Sequence, residues 1–200
     1  MTAAVVGEQP GTLTVPQGEF VLRRNPEGAS LQAWDAADEF LLNHIHDTQF
    51  VRADDRVLLL NDSYGALALP LASHSPYSWN DSFLSQQGLR DNLLANGLSQ
   101  EQVTINSTVD FPTTGVDCVL IKIPKTLAML EYQLYALRAV LNQGARVIAA
   151  GMARHIHSST LALFESIIGP TTTTRAVKKS RLILPQVDHS FNEGQSKYPS

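Results

Sequence analysis

The sequence predicts an α/β domain, doubly wound around a mostly parallel β-sheet. Short unbroken apolar runs at 57–60, 118–121 and 147–150 alternate with longer segments whose apolar residues recur at helical spacing. Runs of this length are typical of strands that helices cover on both faces. The connections are long enough for right-handed crossovers, so we expect neighbouring strands to run parallel.

In the first half of the chain, turn and cap residues set the predicted boundaries. Pro16-Gln17-Gly18 favours a hairpin turn, Ser30 is a candidate N-cap, and Asn96-Gly97 is a typical helix end. The predicted elements are a hairpin over 12–22, a helix over 31–46, a strand over 56–60, a small-residue helix over 66–73, a strand over 77–79, a helix capped by Asp81 or Ser82 that ends at 96, and a strand over 103–106.

The second half continues the alternation. A leucine stripe with a 3.6-residue period predicts a long helix that ends near Gly144, and Gly169-Pro170 ends a later helix. The predicted elements are a strand over 117–123, a helix over 126–142, a strand over 145–150, a helix capped by Ser158 or Ser159, and a strand or hairpin over 172–187. We therefore expect one domain over 1–187 and a polar tail or linker over 188–200.

Composition predicts a soluble cytoplasmic protein. Apolar residues make up 44% of the chain and charged residues 17%, which is ordinary for a globular domain. No apolar run approaches the roughly 20 residues of a transmembrane helix, and no secretory signal is visible at the N-terminus. The single cysteine, Cys118, lies in an apolar run, and we expect it to be buried in a reducing compartment.

Charge is distributed unevenly along the chain. Residues 1–100 carry a net charge of −7 and residues 101–200 a net charge of +3. The densest basic stretch contains Arg175, Lys178, Lys179 and Arg181. If this stretch is one unbroken strand, Arg175, Lys179 and Arg181 project to one face, where they match successive phosphates of RNA. The alternative is a charged sheet edge that prevents aggregation.

The turn after the first parallel strand is the place where doubly wound domains bind nucleotide cofactors. Such a turn needs several glycines so that backbone N–H groups can approach the ligand. Here it reads Asn61-Asp62-Ser63-Tyr64-Gly65, with one glycine and a bulky tyrosine. Asp62, Gly65 and Asp81 are therefore vestigial pocket positions, and Asp81 has an alternative role as a helix cap. We expect neither S-adenosylmethionine nor a dinucleotide to bind.

The segment after the fourth strand also lacks catalytic residues. Enzymes that methylate an amine place Asn or Asp, two prolines and an aromatic residue there, and the first of these accepts hydrogen bonds from the amine. Lys122-Ile123-Pro124-Lys125 keeps only a proline, so no catalytic residue is predicted. Lys122 and Lys125 are instead secondary candidates for contact with RNA.

Histidine pairs and serines give no further site. His44 and His46 are two residues apart on a predicted helix and cannot converge on one metal ion. His155 and His157 have no acidic or cysteine partner in the sequence nearby, so no metal site is predicted. Ser158, beside His157, fits a helix cap better than a nucleophile.

Several strings resemble the bacterial large-subunit ribosomal RNA guanine-N2 methyltransferases, which are relatives of the small-subunit enzymes of the same chemistry. The resemblance covers about residues 20–187 and is carried by LQAWDAADE at 31–39, LND at 60–62 with GA at 65–66, IKIPKTLA at 121–128, and GPTTTT at 169–174.

That resemblance implies two tandem copies of a Rossmann-like methyltransferase fold, of which the first is degenerate. This chain matches the first copy. The implied function is a non-catalytic domain that recognises ribosomal RNA and supports a C-terminal catalytic domain, which holds S-adenosylmethionine. The alternatives are a methyltransferase with a remodelled cofactor pocket and a purely structural domain.

Overall fold

The computed structural model describes residues 11–24, 32–106, 111 and 115–190. The helices are α1 (Ala36–Asp47), α2 (Phe83–Ala95), α3 (Leu127–Arg138) and α4 (Ser158–Ile167), with one-turn 3₁₀ helices at Ala72–His74, Gln100–Gln102 and Ala153–His155. The strands are β1 (Gly11–Val15), β2 (Gly18–Leu22), β3 (Val57–Leu60), β4 (Tyr77–Trp79), β5 (Thr104–Asn106), β6 (Val116–Lys122), β7 (Leu141–Met152), β8 (Thr171–Thr173) and β9 (Ser180–Pro185).

Seven of the described strands form one sheet in the order β5-β4-β3-β6-β7-β9-β8. The five strands from β5 to β7 are parallel to one another, and β9 pairs antiparallel with β7 and forms an antiparallel hairpin with the edge strand β8. β1 and β2 form a separate hairpin. The predicted doubly wound, mostly parallel sheet is therefore confirmed, as is the hairpin alternative for 172–187.

Helices cover both faces of the sheet. Leu41 of α1 and Leu89 of α2 belong to the buried apolar cluster that contains Leu59 on one face. Leu134 of α3 and Phe164 of α4 belong to the cluster that contains Leu58 and Leu60 on the other face. All four residues of β3 are buried, as expected for an unbroken apolar run in a doubly covered strand.

The first helix begins later than predicted. α1 starts at Ala36, and Asp35 is its N-cap, with a carboxylate that accepts hydrogen bonds from the backbone of Ala37 and Asp38. The Asp38 carboxylate in turn accepts a hydrogen bond from the Asp35 N–H at 2.9 Å. This reciprocal capping box fixes the start of the helix, so Trp34 lies outside it. The predicted cap, Ser30, lies outside the described residues.

The predicted helix over 66–73 is wrong. The segment forms a series of turns that ends in the 3₁₀ turn Ala72–His74. The buried Asp62 carboxylate binds the N–H groups of Leu67 and Ala68 at 2.9 Å each. Pro70 has no N–H to donate, so a regular helical ladder does not form.

Two further boundaries differ from the prediction. α3 ends at Arg138 because Val116 already pairs with Leu141, which must be extended to join β7. The N-cap of α4 is His157, not Ser158 or Ser159. In contrast, Ser82 caps α2 as one of the two predicted alternatives, through a bond from the Ser85 N–H.

Candidate functional site

The carboxyl ends of β3, β4 and β6 meet at one edge of the sheet. β3 lies between β4 and β6, so the direction of chain progression reverses at the boundary between β3 and β6. In doubly wound sheets the ligand crevice opens at this boundary. The turn at 61–65, which follows β3, is therefore the first candidate site.

Asp62 closes this turn from within. Its side chain is 1% exposed, and its two oxygens accept the Leu67 and Ala68 N–H groups. These are backbone donors of the kind that a cofactor turn presents to a ligand. Burial raises the pKa of Asp62 to about 7, against the opposing effect of the Leu67 and Ala68 hydrogen bonds.

Tyr64 fills the space between the turn and α2. It has a positive φ of 57°, and its ring rests on Gly88, where an added Cβ would lie 2.5 Å from the ring. Asn92 donates to the Tyr64 carbonyl at 2.8 Å. Gly65 has a φ of 87°, and a Cβ there would lie 2.4 Å from Leu69 and 2.8 Å from Leu89. The glycine therefore permits the left-handed backbone and the close packing of the turn on its own segment and on α2.

Asp81 is exposed. The hydrogen bonds at the start of α2 are made by its neighbours Asn80 and Ser82. Asn80 is buried, and its side chain donates to the Asp62 carbonyl at 2.7 Å and accepts from the Ser82 N–H at 2.9 Å. Because Ser82 caps α2, the capping role suggested for Asp81 is wrong.

Lys122 lies in a buried ion cluster rather than on the surface. Its ammonium is 2.6 Å from Asp35 and 2.9 Å from Asp38. Burial opposes the charge, yet Asp38 and Asp35 together raise the pKa of Lys122. Burial raises the pKa of Asp38 despite the nearby ammonium. The side chain of Lys122 is 13% exposed, so it does not count among the accessible cations.

An amide pair seals the boundary between β3 and β6. Asn61 and Gln133 exchange two hydrogen bonds of 2.7 and 2.9 Å, and Asn61 also donates to the Lys122 carbonyl at 2.9 Å. The sequence analysis missed the pairing of Gln133 with Asn61. A polar residue inside the leucine stripe of α3 was the signal that could have identified Gln133.

The basic stretch at 175–181 is interrupted by a tight turn. Lys178 and Lys179 have positive φ values of 47° and 64°, and Val177 pairs with Ser180 across them. The expectation of one unbroken strand is therefore wrong, and the parity argument that placed three cations on one face no longer applies. Lys178 forms a surface ion pair at 3.1 Å with Glu39.

The turn nevertheless brings Lys179 and Arg181 to the carboxyl end of β7. The Lys179 carbonyl accepts the Ala153 N–H at 2.7 Å, and Arg181 lies opposite Gly151 in the ladder. Its neighbour in β9, Leu182, packs with α1. Alternation along β9 therefore directs Arg181 to the other face, which α3 and α4 cover.

Lys125 lies at the same end of the sheet. It is exposed and lines a cleft together with His155 and His157. Lys125 is 30 positions from His155 in the sequence, so these three residues were not predicted to lie together. Among the described residues, no group of three or more His, Cys, Asp or Glu side chains is arranged to hold a metal ion.

A family model described as the RLMG N-terminal domain matches residues 11–189. Among solved structures, the chain is similar to a 16S rRNA N2 methyltransferase, RsmC of Thermus thermophilus, in complex with AdoMet and guanosine. The TM-score is 0.71 at 19% identity, over 90% of this chain and 50% of that chain. The chain thus spans half the length of this relative.

The chain is also similar to a SAM-dependent methyltransferase of Agrobacterium tumefaciens. The TM-score is 0.65 at 15% identity, over 93% of this chain and 73% of that chain. These similarities confirm the predicted Rossmann-like methyltransferase fold. No helix in the described part of the chain is long and apolar enough to cross a membrane.

Proposed function

The chain belongs to the RLMG N-terminal domain family, and from this premise we propose that it is the non-catalytic domain of a ribosomal RNA guanine-N2 methyltransferase. In this function it binds ribosomal RNA in the cytoplasm and supports a catalytic domain of the same protein. S-adenosylmethionine binds to that catalytic domain, and this domain binds none.

The closed turn after β3 is the observation that carries the proposal. A bound cofactor would need backbone donors and open space at 61–68. The Asp62 carboxylate occupies the Leu67 and Ala68 donors, and the Tyr64 ring packs on Gly88. S-adenosylmethionine would therefore have to displace a buried carboxylate and an aromatic ring before it could bind.

The residues after β6 support the absence of methyl transfer. An amine substrate needs an acceptor at this position, but Lys122 presents an ammonium that is already paired with Asp35 and Asp38. Lys125 is an exposed cation nearby, and its charge disfavours the approach of a group that gains positive charge as it is methylated.

Exposed cations at the carboxyl end of β7 support contact with RNA. Lys179 and Arg181 lie beside Gly151 and Ala153, and Arg175 precedes them in the same hairpin connection. Arginine and lysine contacts to phosphate supply most of the sequence-independent affinity for nucleic acid.

The outer face of α2 supports the scaffold part of the proposal. Phe83 is 70% exposed and Leu94 is 60% exposed, and their spacing of eleven residues places them on one helical face. Leu84, which is 50% exposed, lies beside Phe83. Large apolar side chains grouped on a surface are typical of a face that contacts another protein domain.

Isothermal titration with S-adenosylmethionine tests the loss of cofactor binding. We expect no saturable heat at ligand concentrations up to the millimolar range. Micromolar binding would contradict the proposal and favour the alternative of a methyltransferase with a remodelled pocket.

A filter-binding series on a ribosomal RNA fragment tests the contact with RNA. Three phosphate contacts predict a log–log salt slope of roughly −2, so a fourfold rise in salt weakens binding about 20-fold. Replacing Arg175, Lys179 and Arg181 by alanine should flatten this slope without a change in sequence preference, because phosphate contacts carry no sequence information.

The matched control removes the same charge elsewhere, through alanine at Arg23, Arg52 and Arg90. We expect this variant to keep the wild-type slope. Equal slopes for wild type and the first variant would mean that the basic turn is only a charged sheet edge. No RNA binding by the wild-type chain would favour the purely structural alternative.

A further inference from the structure

A cleft of about 240 Å³ opens at the carboxyl end of β6, between the first turns of α3 and α4. It lies outside the sealed turn at 61–68. Its lining residues are Ile123, Pro124, Leu127, Leu130 and Thr126 from the β6–α3 segment, and Lys125, His155, His157 and Thr160 around them.

The floor of the cleft is apolar and fixed in place. Leu130 is 1% exposed and belongs to the core. The Ile123 N–H donates to the Ala150 carbonyl at 3.0 Å, which holds the start of the segment against β7. Pro124 fixes its own φ and restricts the backbone of the preceding residue, Ile123. Leu127 is 44% exposed, so part of this floor faces solvent.

The rim of the cleft carries groups that bind anions. Lys125, His155 and His157 are all exposed on it. Arg154 lies alongside and donates from Nε to Nε2 of His155 at 3.1 Å. In this contact Nε2 of His155 is the acceptor.

The cationic surface continues from the cleft along the edge of the sheet. Arg181 projects from the face that α3 and α4 cover, opposite Gly151, and a Cβ on Gly151 would lie 3.1 Å from Ile123 in the floor. The Lys179 carbonyl bonds to Ala153, two residues before His155. A polynucleotide has a phosphate on each side of a nucleotide. One phosphate could therefore lie at Lys125 in the cleft and the next near Lys179 and Arg181 outside it.

These features select the chemistry of the ligand. Lys125 on the rim and Arg154 beside it disfavour cationic ligands, and the apolar floor favours a ligand that has an apolar or aromatic part besides its phosphate. A cleft of this size is smaller than the roughly 300–1,000 Å³ of pockets that enclose drug-sized molecules, so it suits a small part of a larger ligand, such as a single base. Histidine side chains are among those on which unpaired RNA bases stack.

We propose that this cleft binds one unpaired nucleotide of single-stranded RNA, with its base against Ile123, Pro124 and Leu127 and its phosphate at Lys125 and His157. The inference rests on the proposed function, since it assigns a place on this domain where the RNA is held. It extends that function, because binding of a single base in the cleft requires the RNA to be unpaired at that nucleotide.

NMR titration of the whole chain with the four nucleoside 5′-monophosphates tests this proposal. We expect the resonances of Lys125, His155 and His157 to shift together. At least one nucleotide should bind about tenfold tighter than its nucleoside and than inorganic phosphate, because base and phosphate then contribute jointly.

The variant that carries Lys125→Ala and His157→Ala should weaken nucleotide binding by about tenfold or more, the loss expected from removal of charge-assisted contacts. The matched control carries Arg52→Ala and His46→Ala, one exposed cation and one exposed histidine outside the cleft. It should bind as the wild type does. Both variants change exposed residues, and circular dichroism verifies their folding.

Several results would overturn the proposal. These are equal binding by the two variants, shifts confined to residues outside the cleft, or inorganic phosphate or the nucleosides binding as tightly as the nucleotides. The salt-dependence series with ribosomal RNA decides the proposed function separately. RNA binding without any nucleotide-induced shift in the cleft would reject this inference alone.

Discussion

Replacing Lys122 by methionine tests whether the ion cluster beneath the crevice is structural. Methionine keeps much of the side-chain volume and removes the ammonium that Asp35 and Asp38 share. Removing one partner of a buried ion pair typically costs about 3–5 kcal/mol, because the remaining charge is left unpaired. Asp35 is 48% exposed and Asp38 only 5%, so most of the cost comes from Asp38, and we expect a loss of about 3 kcal/mol at pH 7.

The loss should depend on pH in a defined direction. The pKa of Asp38 is already raised above 3.8 in the wild type, and loss of the lysine raises it further. The folded variant then holds more protons than the unfolded chain above pH 3.8, so its stability increases as pH falls. The stability of the wild type also increases as pH falls, but less steeply. The difference in unfolding free energy between the two proteins should therefore become smaller from pH 8 to pH 5.

Urea unfolding at four pH values between 5 and 8 measures this gap. Adding Asp38→Asn to the methionine variant should recover part of the loss, because it removes the unpaired charge and keeps an oxygen for the Asp35 N–H. As a control, Lys178→Met breaks only the exposed pair with Glu39 and should cost at most about 1 kcal/mol. A loss below about 0.5 kcal/mol at pH 7, or a gap that does not change with pH, would refute the reasoning.

Three further predictions concern the core, the basic turn and the closed crevice. Leu134→Ala should destabilise the domain by about 2–5 kcal/mol in urea unfolding, because this side chain is fully buried between α3 and the sheet; a loss below about 0.5 kcal/mol would contradict that packing. Replacing Lys178 by asparagine and Lys179 by glycine should stabilise the fold by about 1 kcal/mol, since both positions have positive φ. The same change should weaken RNA binding, and an unchanged melting temperature would count against strain in the turn. The pKa of Asp62 is raised to about 7, so stability from this group is present below pH 3.8 and lost as pH rises through 7. Asp62→Asn should therefore flatten the stability profile between pH 4 and 7, and parallel profiles would exclude Asp62 as the source.

Local sequence pattern was sufficient for the sheet. The unbroken run at 57–60 became a strand buried on both faces, and the leucine stripe of α3 faces the core at Leu130, Leu134 and Leu137. These outcomes depend on burial of apolar side chains with a fixed period, which the chain carries within a short window.

Predictions failed where a polar side chain competed with the backbone. Asp35 and Asp38 cap α1 five residues after the predicted start, although the apolar spacing continues upstream. The Asp62 carboxylate accepts the N–H groups of Leu67 and Ala68. The segment 66–73 therefore forms turns, although its small residues favoured a helix. Helix propensities do not include such side-chain-to-backbone hydrogen bonds explicitly. Whether a carboxylate forms one depends on its position in the folded domain.

The candidate site was predictable in position but not in its contents. The glycine-poor turn identified the position of the crevice after β3, yet Lys122 and Asp35 are 87 residues apart in sequence, and no local pattern pairs them. Lys122 looked like a surface cation for this reason. The grouping of Lys125 with His155 and His157 likewise depends on the parallel pairing of β6 with β7.

The turn after β3 has few glycines, and in addition its polar groups are hydrogen-bonded within the domain. Where parallel strands end, backbone donors and acceptors converge, and a bound cofactor normally satisfies some of them. Here Asp62 binds the donors of the turn, and Asn61 pairs with Gln133 across the boundary between β3 and β6. A glycine in place of Tyr64 would open space but would leave these groups paired with each other. Under the proposed function, cofactor binding at this turn would require the whole polar network to change, because the groups that a cofactor would satisfy are already hydrogen-bonded within the domain.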